Sequence, residues 1–77
     1  MEQTDPSVYL ASLTEELRDY LVDSAARGSI EDCELHIHFM DPANMRRPLD
    51  EAMEAARDNG NIGTEAYLFA WYVYLGF

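Results

Sequence analysis

The sequence contains no lysine, and its five basic residues are all arginines. Fifteen acidic residues oppose them, so the formal net charge at pH 7 is −10. Such an excess of negative charge repels nucleic acid and anionic membrane surfaces, and it attracts basic protein surfaces. The composition therefore argues against direct binding to nucleic acid or to a membrane, and it favours a protein partner.

Cysteine is also scarce, since Cys33 is the only one, and a disulfide framework within the chain is excluded. A lone thiol is typical of a reducing compartment, so we expect a cytoplasmic location. We expect no signal peptide, because the first residues lack its basic and apolar regions. The longest uncharged stretch, residues 66–77, is well short of the ~20 residues that a membrane-spanning helix needs.

The length of 77 residues predicts a single domain over residues 1–77, with a frayed segment at residues 1–4. Hydrophobic residues make up 48% of the chain, which favours a folded protein over charge-driven disorder. A domain of this size has a stability margin of only ~5 kcal/mol or less, and no disulfide adds to it. A homodimer is therefore a candidate state of the protein.

Two stretches have the apolar spacing of an amphipathic helix. In the first, Asp5 and Pro6 suit the N-cap and the first helical position, and Gly28 suits the C-terminal end. A start at Ser12, at the head of a capping box, is the alternative, and it would leave residues 8–10 as a short strand. The second helix is predicted to run from Pro48 to the Asn-Gly pair at residues 59–60. Its predicted inner face consists of Leu49, Ala52, Met53 and Ala56.

Residues 34–40 alternate between polar and apolar side chains, which predicts a β-strand. The apolar residues of this alternation are Leu35, Ile37 and Phe39. A lone strand needs a partner, and the aromatic segment at residues 66–77 is the other strong candidate. We therefore expect an α+β fold in the order α–β–α–β, with two acidic amphipathic helices packed on a short antiparallel sheet. The alternative is a mostly α-helical chain with a C-terminal helix over residues 64–75.

Acidic side chains recur every four residues on both predicted helices. One row is Glu15, Asp19 and Asp23, with Glu16 beside it, and the other is Asp50, Glu54 and Asp58, with Glu51 beside it. Like charges at this spacing destabilise a helix by roughly 0.2–0.5 kcal/mol per pair. Such rows resemble the phosphates of a nucleic-acid strand, which follow one another every ~3.4 Å, and they could occupy a phosphate-binding groove. The simpler interpretation is a solvated face of an acidic protein.

No arrangement of residues in the sequence predicts catalysis or a cofactor. Glu34, His36 and His38 would share one side of the predicted strand, but zinc normally takes a third or fourth ligand from elsewhere. We prefer two histidines on a partly exposed strand, and we predict no metal site. Neither histidine has a triad-like neighbour, and the paired acids lie on polar faces without the desolvation that tunes a catalytic pKa. We therefore expect a non-enzymatic protein.

The C-terminal segment supplies a second candidate contact surface. Aromatic residues dominate the hot spots of protein interfaces, although in so small a chain most of them would serve the core. A wholly apolar end can still leave one face for a second copy of the chain. The candidate dimer contacts are Trp71, Tyr72, Tyr74 and Phe77.

In size, in its charge of −10 and in its acidic rows at 15–23 and 50–58, the chain resembles the anti-CRISPR proteins and antirestriction DNA mimics of phages and mobile elements. Residues 8–13, Val-Tyr-Leu-Ala-Ser-Leu, are similar to the opening strand of antirestriction proteins, but the aromatic and glycine residues that follow there are missing. The resemblance implies an inhibitor that binds the basic nucleic-acid-binding surface of a Cas effector subunit or restriction enzyme and blocks DNA entry. The alternative is a small dimerising structural or regulatory module that uses the C-terminal aromatic segment.

Overall fold

The computed structural model describes residues 6–77, and this part of the chain is helical apart from short connections. The helices are α1 (Pro6–Arg27), α2 (Ile30–His38), α3 (Arg46–Asp58) and α4 (Ile62–Tyr74), with a single 3-10 turn at Pro42–Asn44. No residue between 6 and 77 belongs to a β-strand. The predicted α+β fold with an antiparallel sheet is therefore wrong, and the mostly α-helical alternative is correct.

The first helix confirms the longer of the two predicted versions. α1 has 22 residues, so residues 8–10 are helical rather than a short strand. It ends at Gly28, whose φ of 77° lies in the left-handed region that favours glycine. The backbone N–H groups of Gly28 and Ser29 donate back to carbonyls of the last turn, in the manner of a Schellman motif. The predicted N-cap at Asp5, the fraying of residues 1–4 and the side chain of Leu10 lie outside the described residues.

The stretch predicted as the first strand lies largely in α2. This helix begins after Ser29, whose Oγ accepts a hydrogen bond from the backbone N–H of Asp32 at 3.3 Å. Such a cap satisfies one of the N–H groups that a helix start leaves without a partner. Cys33 and Ile37 are buried one turn apart, which is the period of a helix face.

The three apolar residues of the predicted strand do not share one environment. Leu35 and Phe39 are 56% and 54% exposed, and only Ile37 is buried. Met40 joins Cys33 and Ile37 in the core instead. Polar and apolar residues do alternate here, but the spacing of Cys33, Ile37 and Met40 follows the helical period, and that spacing decides the structure.

The helix predicted around residues 48–59 is confirmed. α3 begins at Arg46, slightly before the predicted Pro48, and its C-cap is Asn59. All four residues of the predicted inner face are buried, namely Leu49, Ala52, Met53 and Ala56. The pattern was readable because small and large apolar residues recur every three or four positions between charged ones.

The C-terminal segment, predicted as a strand over residues 66–77, forms helix α4. Thr64 and Leu68 are its buried residues, and Trp71 and Leu75 pack against the core from the same side. These positions are three or four residues apart, as on one face of a helix. With no strand at residues 34–40, no pairing partner was required.

The four helices form an open array in which α1 and α3 lie at the centre, α2 packs on α1, and α4 packs on α3. α1 and α3 run in the same direction. Shortly before the start of α3, the backbone N–H of Asp41 donates to Oγ1 of Thr14, in the middle of α1, at 2.7 Å. Just after the end of α3, Asn61 Nδ2 donates to the carbonyl oxygens of Ala25 and Ala26, near the end of α1, at 3.2 and 2.9 Å. We call this second contact the Asn61 clasp.

The hydrophobic core lies between these helices and draws on each of them. Its largest buried apolar side chains are Leu21, Met45, Leu49 and Leu68. Because α4 lies at the edge of the array and packs mainly on α3, its far side has no neighbouring helix in the described part of the chain. None of the helices within residues 6–77 is long and apolar enough to cross a membrane.

Candidate interaction site

The edge helix α4 presents apolar side chains to solvent along its length. Its most exposed large residues are Ile62, Phe69, Val73 and Tyr74, and Tyr74 is 79% exposed. Glu65 is the only charged residue of this helix, and it pairs with Arg57 of α3. A helix that is apolar on every side is normally buried on every side. The uncovered side of α4 is therefore the strongest candidate contact surface.

One flank of α4 carries a recess that we call the aromatic hollow. It is lined by Tyr67, Ala70, Trp71 and Tyr74 and has a volume of about 370 Å³. The rings of Trp71 and Tyr74 meet edge to face, with centroids 5.7 Å apart and planes at 87°, an arrangement that aromatic pairs prefer. Trp71 is anchored against the core, whereas Tyr74 projects into solvent. The hollow thus combines one aromatic ring that packs on the core with one that is exposed to solvent.

The other flank of α4 forms a second recess with α3, which we call the α3–α4 groove, with a volume of about 520 Å³. Its lining combines apolar and charged side chains: Asp50, Met53, Arg57, Ile62, Glu65, Ala66, Phe69 and Tyr72. Phe69 and Tyr72 stack with centroids 6.4 Å apart, and Phe77 meets Tyr72 at 5.5 Å. The groove therefore combines an apolar lining with a few charged side chains.

An ion pair joins α3 to α4 at one end of this groove. Arg57 Nε donates to Glu65 Oε2 at 2.8 Å. That hydrogen bond and the charge of the Glu65 carboxylate raise the pKa of Arg57 above its ordinary value. Arg57 is the only cation that lines the groove, and the pair with Glu65 neutralises it.

The four predicted dimer contacts are therefore divided between two flanks of the C-terminal segment. Trp71 and Tyr74 line the aromatic hollow. Tyr72 lines the α3–α4 groove, and Phe77 lies against its ring. The sequence located these residues in one apolar segment, but the helix separates them into two pairs.

The predicted acidic rows lie on α1 and α3, and arginines neutralise part of each. Arg18 contacts Glu15 at 3.2 Å and Asp19 at 3.7 Å on its own helix, and it reaches Glu51 of α3 at 3.3 Å. Arg47 also approaches Glu51, at 3.8 Å. Acids of both helices thus meet around Arg18, where their charge is partly compensated.

The remaining predicted acids differ in what they contact. Asp23 pairs with Arg27 at 3.0 Å near the end of α1. Asp50 lines the α3–α4 groove, whereas its neighbour Glu51 faces α1. Among the described residues, no ion pair is formed by Glu16, Asp50, Glu54 or Asp58. Adjacent acids of the α3 row thus face different neighbours.

The residues considered for metal binding or for reaction are not gathered into a site. The His36 ring lies 5.9 Å from that of Tyr20, and the His38 ring meets that of Phe39 at 5.3 Å. Within residues 6–77, no three His, Cys, Asp or Glu side chains converge to hold a metal ion. Burial, helped by the charge of Asp32, raises the pKa of the Cys33 thiol to about 11, so this group stays protonated at neutral pH.

Sequence reasoning missed two features that depend on helix packing. One is the α3–α4 groove, and its signal was the opposite charges of Arg57 and Glu65 on either side of a short turn. The other is the Asn61 clasp, for which the sequence offers no signal, because its acceptors are backbone carbonyls distant in the chain.

No protein-family model matches the chain, and comparisons with curated proteins and with solved structures found no match either. The function must therefore be inferred from the surfaces described above. Of these, α4 combines the two most exposed large apolar side chains of the described residues, Tyr74 and Ile62, with a recess lined by aromatic rings.

Proposed function

We propose that the protein is a small, non-enzymatic interaction module of the cytoplasm that dimerises through the aromatic hollow of α4. The observation that carries this proposal is the exposure of Tyr74, which lines the hollow, is 79% exposed and follows the small side chain of Ala70 by one helical turn. A projection and a recess on the same face are complementary to a second copy related by a two-fold axis. In such a dimer two antiparallel α4 helices each place Tyr74 over the partner's Ala70.

The distribution of charge favours a second copy as the occupant of this surface. Two molecules that each carry a charge of −10 repel one another, so their interface has to exclude acidic side chains. The residues that line the aromatic hollow carry no charge. Glu65, the only acid of α4, lies on the opposite flank in its pair with Arg57. The hollow is thus a place where two copies approach with little repulsion.

The exposed area of the aromatic hollow fits a weak, reversible dimer. Since an aromatic side chain can bury ~150–250 Å², the three aromatic residues of the hollow offer on the order of 500 Å² per copy. Specific interfaces at the smaller end of the usual range bury roughly 600 Å² per partner. We therefore expect a reversible dimer with a Kd on the order of micromolar.

Replacing Tyr74 by alanine is expected to weaken this dimer by at least tenfold. The substitution removes the projecting ring from both symmetry-related contacts, and aromatic residues at interface centres contribute ~2 kcal/mol or more each. Sedimentation velocity over a concentration series that spans the expected Kd measures the change. Ala70→Glu, which introduces a charge into the recess, should have the same effect.

Tyr9→Ala is the matched control, because Tyr9 is an equally replaceable exposed tyrosine on α1. It should leave the dimer unchanged. A wild-type protein that stays monomeric throughout the series, or a Tyr9 variant that dissociates as readily as the Tyr74 variant, contradicts the proposal.

A second proposal is that the acidic surface of α1 and α3 inhibits a nucleic-acid-processing protein, such as a Cas effector subunit or a restriction enzyme, as anti-CRISPR and antirestriction proteins do. It is favoured by the packing of α1 beside α3, which places the exposed acids of both helices on neighbouring elements. These exposed acids are Asp19, Asp23, Glu54 and Asp58. Their binding site would be a basic groove of the partner, and the attraction would weaken as salt screens it.

Reversing Asp19, Asp23, Glu54 and Asp58 to lysine is expected to abolish this binding, because each change replaces attraction by repulsion. Tagged wild-type protein should retain a partner from host lysate at low salt and lose it at high salt, and the fourfold variant should retain none. Circular dichroism shows whether the variant is folded. The Tyr74→Ala variant should still capture the partner. Capture of the same protein by the folded fourfold variant rules out this second function.

A further inference from the structure

We infer that the α3–α4 groove binds a basic amphipathic helix of a partner protein. This site is separate from the proposed dimer surface, because it lies on the opposite flank of α4 from the aromatic hollow. It shares Glu54 with the acidic surface of the second proposal, but no residue of α1 lines it. The groove follows the joint between two helices, and its lining extends along α4 from Ile62 to Tyr72. This length corresponds to about 15 Å, or three turns of an occupying helix.

The apolar part of the groove fits the hydrophobic side of such a helix. Met53 of α3 forms the inner part of the lining, since it is one of the core residues. Phe69 and Tyr72 supply stacked rings on the α4 side, and Phe69 is more than half exposed. Amphipathic helices bind grooves of this kind through apolar anchors spaced three or four residues apart. The methionine side chain adapts its shape to different anchors.

The charges at the edge of the groove determine which sign of charge the partner helix must carry. Asp50 lines the groove and forms no ion pair with the described residues. Glu54 follows one turn later on the exposed side of α3. The only cation, Arg57, is already neutralised by Glu65 at 2.8 Å. The edge is therefore negative overall, and a helix with lysine or arginine beside its apolar anchors complements it. The exposed face of Phe69 can also attract a cation.

The inference is tested with a synthetic peptide of leucine and lysine whose spacing makes it an amphipathic helix. Fluorescence anisotropy of the labelled peptide measures its binding to the full-length protein. Two comparison peptides are used: one with glutamate in place of every lysine, and one with the same composition in scrambled order. The basic amphipathic peptide is expected to bind at least tenfold more tightly than either.

The variants separate the groove from the general acidity of the protein. Asp50→Asn combined with Glu54→Gln should weaken binding of the basic peptide by at least tenfold, and Phe69→Ala should do the same. The matched control is Glu31→Gln combined with Glu34→Gln, which removes the same charge from exposed positions on α2. This control should change the affinity by no more than about twofold, because solvent and salt screen charges at that distance.

Equal weakening by the two charge-matched pairs would show that the peptide responds only to net charge, and it would overturn the inference. Tight binding of the scrambled peptide would overturn it as well. The Tyr74→Ala variant should bind the basic peptide as the wild type does. If this variant fails to dimerise but still binds the peptide, peptide binding at the groove does not depend on the proposed dimer.

Discussion

Replacing Leu49 by alanine is expected to lower the free energy of unfolding by about 3 kcal/mol, which is most of the margin of a domain this small. Leu49 is completely buried near the start of α3, where it belongs to the core cluster to which α1, α2 and α4 also contribute. Shortening it removes apolar contacts and leaves a cavity that neighbouring helices can only partly fill. Urea denaturation followed by circular dichroism measures the loss, and the variant should be partly unfolded without denaturant.

Leu35→Ala is the matched control, since it removes the same atoms from a residue that is 56% exposed. It should change the free energy of unfolding by no more than about 0.5 kcal/mol. The comparison also tests the strand interpretation, which placed Leu35 on one apolar face with Ile37. A loss at Leu35 as large as the loss at Leu49 would contradict the helical packing described here.

Gly28→Ala is expected to have the second largest effect, a loss of about 2–3 kcal/mol, from two separate causes. The first is the φ of 77°, which strains any residue that carries a Cβ atom. The second is space, because a Cβ atom here would lie 2.9 Å from both Cγ and Oδ1 of Asn61. The Asn61 side chain would have to move, and the Asn61 clasp would be weakened or lost.

Gly60→Ala separates the two causes. Gly60 ends α3 as Gly28 ends α1, with a φ of 73°, but nothing lies within 4 Å of the position that its Cβ atom would take. Its substitution should therefore cost only the backbone strain, about 1 kcal/mol. In the double variant Gly28→Ala with Asn61→Ala, the clash is absent, so the two losses should not add. Equal losses at Gly28 and Gly60 would show that the Asn61 clasp contributes nothing to stability.

The sequence predicted those helices whose apolar period and end signals agree. In α1, the leucine spacing and Gly28 pointed to the same element. In α3, the four inner residues all proved to be buried. Local propensity, capping and pattern act in the same direction in these stretches, so neighbouring residues alone contain enough information.

The errors arose where the apolar residues of a short stretch fit both the two-residue period of a strand and the 3.6-residue period of a helix. Residues 34–40 alternate like a strand, and the helical signal extends outside that window to the Ser29 cap and to Cys33. The second error followed from the first, because residues 66–77 were assigned as a strand to supply a pairing partner. Hydrophobicity on every side of α4 removed the periodicity that would have identified it as a helix.

For the candidate site, the sequence predicted which residues could take part but not how they are arranged. The sequence indicated that most aromatic residues of the C-terminal segment serve the core and that one face can remain for a contact, and Tyr74 is among the most exposed large apolar side chains of the described part of the chain. It could not indicate that Trp71 and Tyr72 lie on opposite flanks, since that depends on which face α3 covers. Similarly, the contact of Arg18 with Glu51 depends on the packing of α1 beside α3.

The Asn61 clasp has a consequence for association that goes beyond stability. Asn61 is the N-cap residue of α4, so its two hydrogen bonds to the end of α1 fix the starting point of the helix that carries both recesses. The Arg57–Glu65 pair holds the next turn of α4 to α3. α4 is thus held in place on α3 before any partner arrives. Binding to a preorganised surface loses less conformational entropy, so a modest interface gives a useful affinity.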